Sequence, residues 1–408
     1  MKIIQINTVI GTGSVGKIAA SLYEISEKNG VEAFAAYGRG HAPENMKAVK
    51  IGTPLDMYAH VCRNFFRGES GFGSVEKTRS FLRKLEQIKP DVIHLHNIHG
   101  FYLQIELLFQ YIKEKKIPVV WTFHDCWPFT GHCAYFDYAK CDKWKTGCNK
   151  CEQHRTAYPY ALFKDNSKNA YERKRSAFTG VENLTIVTPS KWLARLVHES
   201  FLREYTVQVI PNGVDQTVFR AETSEKNEQT EQTRKMLLGV ANIWEARKGL
   251  SYFEELARML PENYHITLVG LNRKQIASIQ KDNMLKEKIT AIARTENQTE
   301  LAALYRKADI YVNTTLEDNF PTTNLEALSC GTPVITFATG GSPEAMEGDA
   351  QIGITVPKGD VQAMAQAIQK MANQKKPVEA CIARAAAYDK EKCFYQYIEL
   401  YRRVLHES

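Results

Sequence analysis

Asp318 and Glu326 stand in the spacing Asp-x7-Glu, within Asn313-Thr-Thr-Leu-Glu317-Asp318-Asn-Phe-Pro-Thr-Thr-Asn-Leu-Glu326-Ala-Leu-Ser-Cys-Gly331-Thr-Pro333. The segment reads as the end of a strand, a polar loop, and a helix that opens near Thr323 and closes at Gly331, a favoured residue beyond a helix C-terminus. A loop followed by a helix N-terminus presents backbone N–H groups that bind phosphate or hydroxyl oxygens. The two carboxylates accept from paired hydroxyls. One loop therefore offers partners for a ligand that carries both a sugar and a diphosphate.

A second candidate lies near the start. Gly11-Thr-Gly13-Ser-Val-Gly16 follows an apolar run and precedes a helical pattern over Lys17–Ser26, which satisfies G-x-G-x-x-G in its strand-to-helix setting. The acidic residue that would hold a dinucleotide ribose is missing, because the second strand ends Ala36-Tyr-Gly-Arg39. On this motif only an NADP reading survives, with Arg39 on the extra phosphate. More generally the loop suits any diphosphate, or makes no more than a tight turn.

The third candidate is a cysteine array, Cys133, Cys141, Cys148 and Cys151, spaced C-x7-C-x6-C-x2-C a few residues after His124. Four thiolates at such spacings can close tetrahedrally on a structural Zn²⁺, and free thiols in a packed loop are the alternative. In a reducing compartment disulfides are disfavoured. His124 itself follows a buried strand, where a histidine serves either as an acid–base group or as a satisfied core residue.

These groups need a scaffold. The chain has 408 residues, 44% hydrophobic and 24% charged, which is ordinary globular composition and long enough for two domains. The net charge of +7 suits an anionic partner, but no basic block interleaved with aromatics marks a nucleic-acid binder. The N-terminal run reads as a buried strand rather than a signal peptide, and no apolar stretch is long enough to span a bilayer. The expected location is the cytosol, with contact at the inner face of a membrane compatible with it.

Short β-rich runs alternate with helical patterns, the mark of parallel sheets covered by helices. The strands expected are Lys2–Asn7, Val31–Tyr37, Val92–His96, Val119–Phe123 and Leu184–Val187, then Met236–Val240, His265–Val269, Ile289–Ile292, Ile310–Asn313 and Pro333–Phe337. The polar stretch 222–234 lacks aromatic and large aliphatic residues and reads as a linker or surface loop. The fold class is α/β, with an N-terminal Rossmann-like domain over 1–215 and a second over 216–390. A helix over 391–408, bearing Phe394, Tyr395, Tyr397 and Tyr401, is expected to pack back on the first domain.

Taken together, the chain resembles glycosyltransferase family 4, the retaining family of GT-B fold, in which two doubly wound domains face each other across a cleft. The resemblance rests on motifs in family order: Asp91-Val-Ile-His-Leu-His96, His124-Asp125, Thr188-Pro-Ser190, Pro211-Asn-Gly-Val-Asp215, Arg247-Lys-Gly249, the Asp318-x7-Glu326 pair and Gly340-Gly-Ser-Pro-Glu344. The family pair is normally Glu-x7-Glu, so either Asp318 or Glu317 contacts the donor sugar, with Asp318 matching by spacing. The resemblance implies that Glu326 holds the nucleotide ribose, and that backbone groups of Asn319, Phe320, Thr322, Thr323 and Asn324 hold sugar and diphosphate. Pro321 has no N–H to give. It further implies Arg247 and Lys248 on the diphosphate, Gly13 and Ser14 as further donors to it, Thr295 at the base, and His124 by the donor sugar.

The cysteine segment resembles a subgroup active in capsule and colanic-acid-type polysaccharide assembly. Here the acceptor side would involve Asn97, His99, Asp125 and Trp127. The nearby Arg155, Lys164, Lys168, Arg173, Lys174 and Arg175 suit a lipid diphosphate acceptor or a solvated helix face.

The expected activity is transfer of a sugar, with retention, from a UDP- or GDP-sugar to a glycan or lipid-linked glycan. Two fixed cations would stabilise the leaving diphosphate, and no Asp-x-Asp motif is present, so no cofactor or catalytic metal is expected. The competing readings are an NADP-dependent oxidoreductase, carried by the glycine loop and Arg39, and a non-enzymatic zinc-stabilised binding protein, carried by the cysteines.

Overall fold

A computed structural model describes residues 1–222 and 234–407. Most of the polar stretch read as a linker, residues 223–233, lies outside the described residues. The chain divides into two compact units, Met1–Pro211 with Phe394–Ser408, and Asn212–Cys393.

The first unit is built on one parallel sheet of β1 (Lys2–Asn7), β2 (Glu32–Tyr37), β3 (Ala48–Lys50), β4 (Val92–Leu95), β5 (Val119–Thr122), β6 (Leu184–Thr188) and β7 (Thr206–Val209). Their order is β3-β2-β1-β4-β5-β6-β7. The central strands are almost wholly buried because helices cover both faces, which is why they read as continuous apolar runs instead of alternating ones. Register follows from this packing, with Ile3 opposite Val92 and Val119 opposite Leu184.

The second unit repeats the plan with β8 (Lys235–Val240), β9 (Tyr264–Val269), β10 (Ile289–Ile292), β11 (Ile310–Asn313), β12 (Val334–Phe337) and β13 (Gly353–Val356), ordered β10-β9-β8-β11-β12-β13. In each unit the winding direction reverses beside the first strand, between β1 and β4 and between β8 and β11. In open α/β sheets ligands bind beyond the carboxyl ends of the strands at such a reversal. The loops that follow β1, β4, β8 and β11 carry the glycine loop, Asn97 with His99, Arg247 with Lys248, and Asp318 respectively.

Three short strands escaped the sequence reading, β3, β7 and β13, and all three lie at sheet edges. Edge strands are half solvated, so Thr206-Val-Gln-Val209 and Ala48-Val-Lys50 lack the dense apolar run that marks a central strand.

The terminal helix, Lys390–His406, supplies Phe394, Tyr397 and Tyr401 to the interior of the first unit, while Tyr395 stays partly exposed. Tyr401 shares a 2.6 Å hydrogen bond with His94 Nδ1, and the Tyr397 hydroxyl lies 3.1 Å from Thr122 Oγ1. Tyr397 also stacks on the His94 ring at 5.2 Å. The aromatic tips thus satisfy polar groups of β4 and β5 that the sheet cannot.

Candidate functional site

In the second unit, β11 ends at Asn313 and the loop turns into the helix Thr322–Ser329. Asn313 and Asn324 clamp the two ends of this turn: Asn313 Nδ2 donates to Asn324 Oδ1 at 2.8 Å, and Asn324 Nδ2 donates to Ser342 Oγ at 2.9 Å. Asn324 is wholly buried, and its own N–H donates to Pro321 O. It fixes the helix instead of offering the ligand-facing N–H expected from the sequence. Phe320 is likewise turned into the core, against Tyr388. Thr322 and Thr323 open the helix, and their N–H groups have no acceptor among the described residues.

Asp318 is held from two sides. Lys248 Nζ lies 2.6 Å from Asp318 Oδ2, and Asn319 N–H donates to Asp318 Oδ1 at 2.9 Å. Arg247 donates to the carbonyl of Glu317 at 3.1 Å and accepts at its own carbonyl from Leu316 N–H at 2.7 Å. The short Ala246–Lys248 turn and the loop after β11 are thereby sewn together. Gly249 permits this approach: its φ is +73°, and a Cβ there would meet Thr314 O at 2.3 Å. Glu317 is buried and Asp318 half-buried, so of the two carboxylates left open by the sequence Asp318 is the more accessible.

Glu326 accepts from the hydroxyl of Tyr305 at 3.0 Å. Tyr305 is fully buried, and burial together with the Glu326 charge drives its hydroxyl well above the ordinary phenol range, so it stays a donor. Sequence reasoning missed this orienting group, which sits on a different helix, Gln298–Lys307, and has no motif around it. Thr295 lies half-buried in the loop after β10.

In the first unit the helix Gly13–Lys28 begins without a side-chain cap at Thr12, and Gly13 and Ser14 are exposed at its start. Behind this loop runs a chain of buried rings. Gln5 Oε1 lies 3.0 Å from His96 Nε2, and His96 Nδ1 lies 3.0 Å from His124 Nε2. Burial pushes His124 down to about 4 and holds His96 well below the ordinary histidine range, so both are neutral at pH 7. A neutral imidazole has one donor and one acceptor nitrogen, which fits a polar relay better than a charged contact. Gln5 was not singled out in sequence, and His96 entered only as the end of a family motif without a role, because a buried polar residue on a strand looks like any interior position.

A second pair sits alongside: His99 Nε2 lies 2.9 Å from Asp125 Oδ2, and His99 Nδ1 lies 3.1 Å from the Tyr158 hydroxyl. Burial would raise the Asp125 carboxyl, but His99 and the hydrogen bonds it receives bring it below the usual carboxylate range. Trp127 N–H donates to Asp125 Oδ1 at 2.9 Å. Asn97 is half-buried, its carbonyl taken by Thr8 and Tyr102.

Two sequence expectations need correction here. Trp127 is fully buried within the aromatic core, so it supports His99 from behind and offers no surface to an acceptor. Lys174 is buried too, donating to the carbonyls of Trp127 and Thr130, and Arg173 is paired with Glu106. The basic neighbourhood is therefore reduced to Arg155, Lys164, Lys168 and Arg175. The four cysteines line one cavity, but no group of three or more His, Cys, Asp or Glu among the described residues is already arranged as a metal site. Cys133 is hydrogen-bonded to Cys151, and Cys148 Sγ accepts from Gly131 N–H at 3.1 Å.

Residues 30–218 match the family described as glycosyltransferase family 4, and residues 221–388 match glycosyl transferases group 1, so that the two matches span most of the chain. WcaC of Escherichia coli (strain K12), whose name assigns it to colanic acid biosynthesis as a glycosyl transferase, is 24% identical over 85% of both chains. Among solved structures, sucrose-phosphate synthase of Thermosynechococcus elongatus aligns over all of both chains with a TM-score of 0.73 and 16% identity. Anabaena HepE, solved in complex with UDP, aligns over 98% of this chain and 99% of its own with a TM-score of 0.66 and 14% identity. These likenesses establish the GT-B fold.

Proposed function

Since the chain belongs to glycosyltransferase family 4 and is a glycosyltransferase, we propose that it moves a sugar, with retention and without a catalytic metal, from a UDP- or GDP-sugar to a glycan or lipid-linked glycan of a surface polysaccharide. The observation that carries this reading is the Lys248–Asp318 ion pair, set beside the unpartnered N–H groups of Thr322 and Thr323 and the Tyr305-held Glu326. A cation and a helix N-terminus stabilise the departing diphosphate, and two oriented carboxylates read hydroxyls of sugar and ribose.

In this reading Lys248 and Arg247 bear on the leaving group, Asp318 on the sugar, Glu326 on the ribose, and Thr295 on the base. Gly13 and Ser14 act as further phosphate-facing donors. Neutral His124 offers a hydrogen bond close to the reacting carbon, and the hydroxyl attacking from the same face gives its proton to the leaving phosphate. His99, Asp125 and Asn97 serve the acceptor. The NADP reading has nothing further to support it, since the second unit's carboxylate loop has no part in hydride transfer.

Among the described residues no helix is long and apolar enough to cross a membrane. The first unit does expose Leu55, Tyr58, Phe66 and Phe163, with Phe66 and Phe163 stacked at 5.0 Å and Lys164 and Lys168 nearby in sequence. Apolar tips amid basic residues suit peripheral contact with an anionic membrane, where a lipid-linked acceptor would be met from the cytosolic side.

Calorimetry with UDP, GDP and NADP tests the donor class. Binding of one nucleoside diphosphate, lost in Glu326→Ala, is expected; binding of NADP alone would overturn the proposal.

A further inference from the structure

The cavity lined by Cys133, Cys141, Cys148 and Cys151 lies outside the transferase machinery and has about 20 Å³ of free space. That is room for one water-sized species. Its wall also holds Phe136 and Trp144, both buried. Four sulfurs around a one-atom space form the donor set that a borderline-soft divalent ion prefers.

Two independent observations point to a charged occupant. Trp144 Nε1 and His132 Nε2, on buried residues that line the same cavity, have no hydrogen-bond partner. Orphaned buried polar atoms are costly, and N–H groups of this kind commonly donate to metal-bound sulfur. Close by, Lys174 is buried and receives only carbonyl oxygens, at 2.8 Å from Trp127 and 3.0 Å from Thr130, with its Nζ 3.4 Å from the Trp127 ring centre. Among the described residues no carboxylate is paired with it. A divalent ion held by four thiolates carries a net double negative charge, which an adjacent buried amine would offset.

We propose that this cavity is a structural Zn²⁺ site closed by Cys133, Cys141, Cys148 and Cys151, with Lys174 as its buried counter-cation. On binding, four S–H bonds break, four S–Zn bonds form and four protons pass to solvent, without oxidation or reduction. The Cys133–Cys151 and Gly131–Cys148 hydrogen bonds describe the metal-free arrangement, and closure on the ion requires the four sulfurs to converge from it. With all positions taken by sulfur, the ion has no open site for water and performs no chemistry. It pins the loop between His124 and the helix Ser167–Phe178. The assignment stands apart from the transferase reading.

The test is elemental analysis of untagged protein purified without a metal-affinity column. About one zinc per chain is expected. Replacing it with Co²⁺ should give thiolate-to-cobalt charge-transfer absorption with tetrahedral ligand-field bands. Cys148→Ser should lose most of the zinc while Cys62→Ser, altering an exposed cysteine away from the cavity, keeps it. As a measurement that does not depend on a variant folding, chelation of the wild-type protein should expose four further thiols to titration. Metal-free protein that takes up no Co²⁺ with a thiolate signature, or a Cys133–Cys151 disulfide in the isolated protein, would overturn the proposal.

Discussion

Lys248 and Asp318 meet at 2.6 Å, so the cation proposed to hold a diphosphate and the carboxylate proposed to hold a sugar form a single unit. Each is only part-exposed, at 21% and 16% of the side chain, which keeps the pair ordered yet reachable. Removing either partner should therefore disturb the other. Lys248→Ala and Asp318→Asn are each expected to lower kcat about a hundredfold, the order found when one oriented charge-stabilising group is lost. The double variant should lose far less than the product of the two. Steady-state kinetics with and without EDTA check this, and a strict Mg²⁺ requirement in the wild type would contradict a leaving group stabilised by Arg247 and Lys248 alone.

The Tyr305–Glu326 hydrogen bond separates orientation from contact. Glu326→Ala should weaken nucleotide binding by one to two decades, since a hydrogen bond to a charged group is worth about 1.5–3 kcal/mol. Tyr305→Phe keeps the carboxylate but frees its rotation, and should cost several-fold in affinity with little change in kcat. Titration with the cognate nucleoside diphosphate distinguishes them. Equal affinity in Glu326→Ala and wild type would remove the ribose assignment.

Gly340 has a φ of +54°, and a Cβ built on it would sit 1.7 Å from the carbonyl oxygen of Asp318. Gly341 N–H also donates to Asn319 O at 2.8 Å, so the Gly340–Gly341 turn sets the height of the carboxylate loop. Gly340→Ala should displace Asp318 and lower kcat/KM about a hundredfold, as small misplacements of positioning groups do. Gly348→Ala, also at positive φ but with open space around it, should leave activity near wild type.

The buried histidines set a pH dependence of stability. Burial lowers His94 to about 3 and His124 to about 4, against about 6.5 in the unfolded chain. Below pH 6.5 the unfolded chain binds protons that the folded chain refuses, so their contribution is complete above about pH 6.5 and is lost as pH falls from there through about 4. The urea midpoint should therefore drop between pH 7.5 and pH 5 with the slope unchanged. Tyr401→Phe, which strips the 2.6 Å partner from His94 Nδ1, should destabilise by about 1–3 kcal/mol at pH 7.5. A midpoint flat across this range would refute the assignment of neutral buried rings.

Much of the scaffold was legible in sequence because it rests on local pattern. Central strands such as Lys2–Asn7 and Ile310–Asn313 announce themselves by dense apolar runs, and the glycine loop and the Asp318-x7-Glu326 spacing are short-range features that survive whatever packs on them. The sequence by itself therefore determined the α/β alternation, the order of the motifs and the family to which they belong. Tertiary structure alone decided which side chains stay accessible and which are buried or held by others. Trp127 and Lys174 read as acceptor-side groups but are buried, and Asn324 reads as a backbone donor to a ligand but gives its N–H to Pro321 O, while its side chain is held by Asn313 and Ser342. Tyr305 reads as nothing and yet holds Glu326, while Tyr401 reaches across 307 positions to satisfy His94. The physical reason is common to all of these. The free energy of a buried polar group is set by the partner it finds, and those partners are brought together by the fold from segments that share no local pattern.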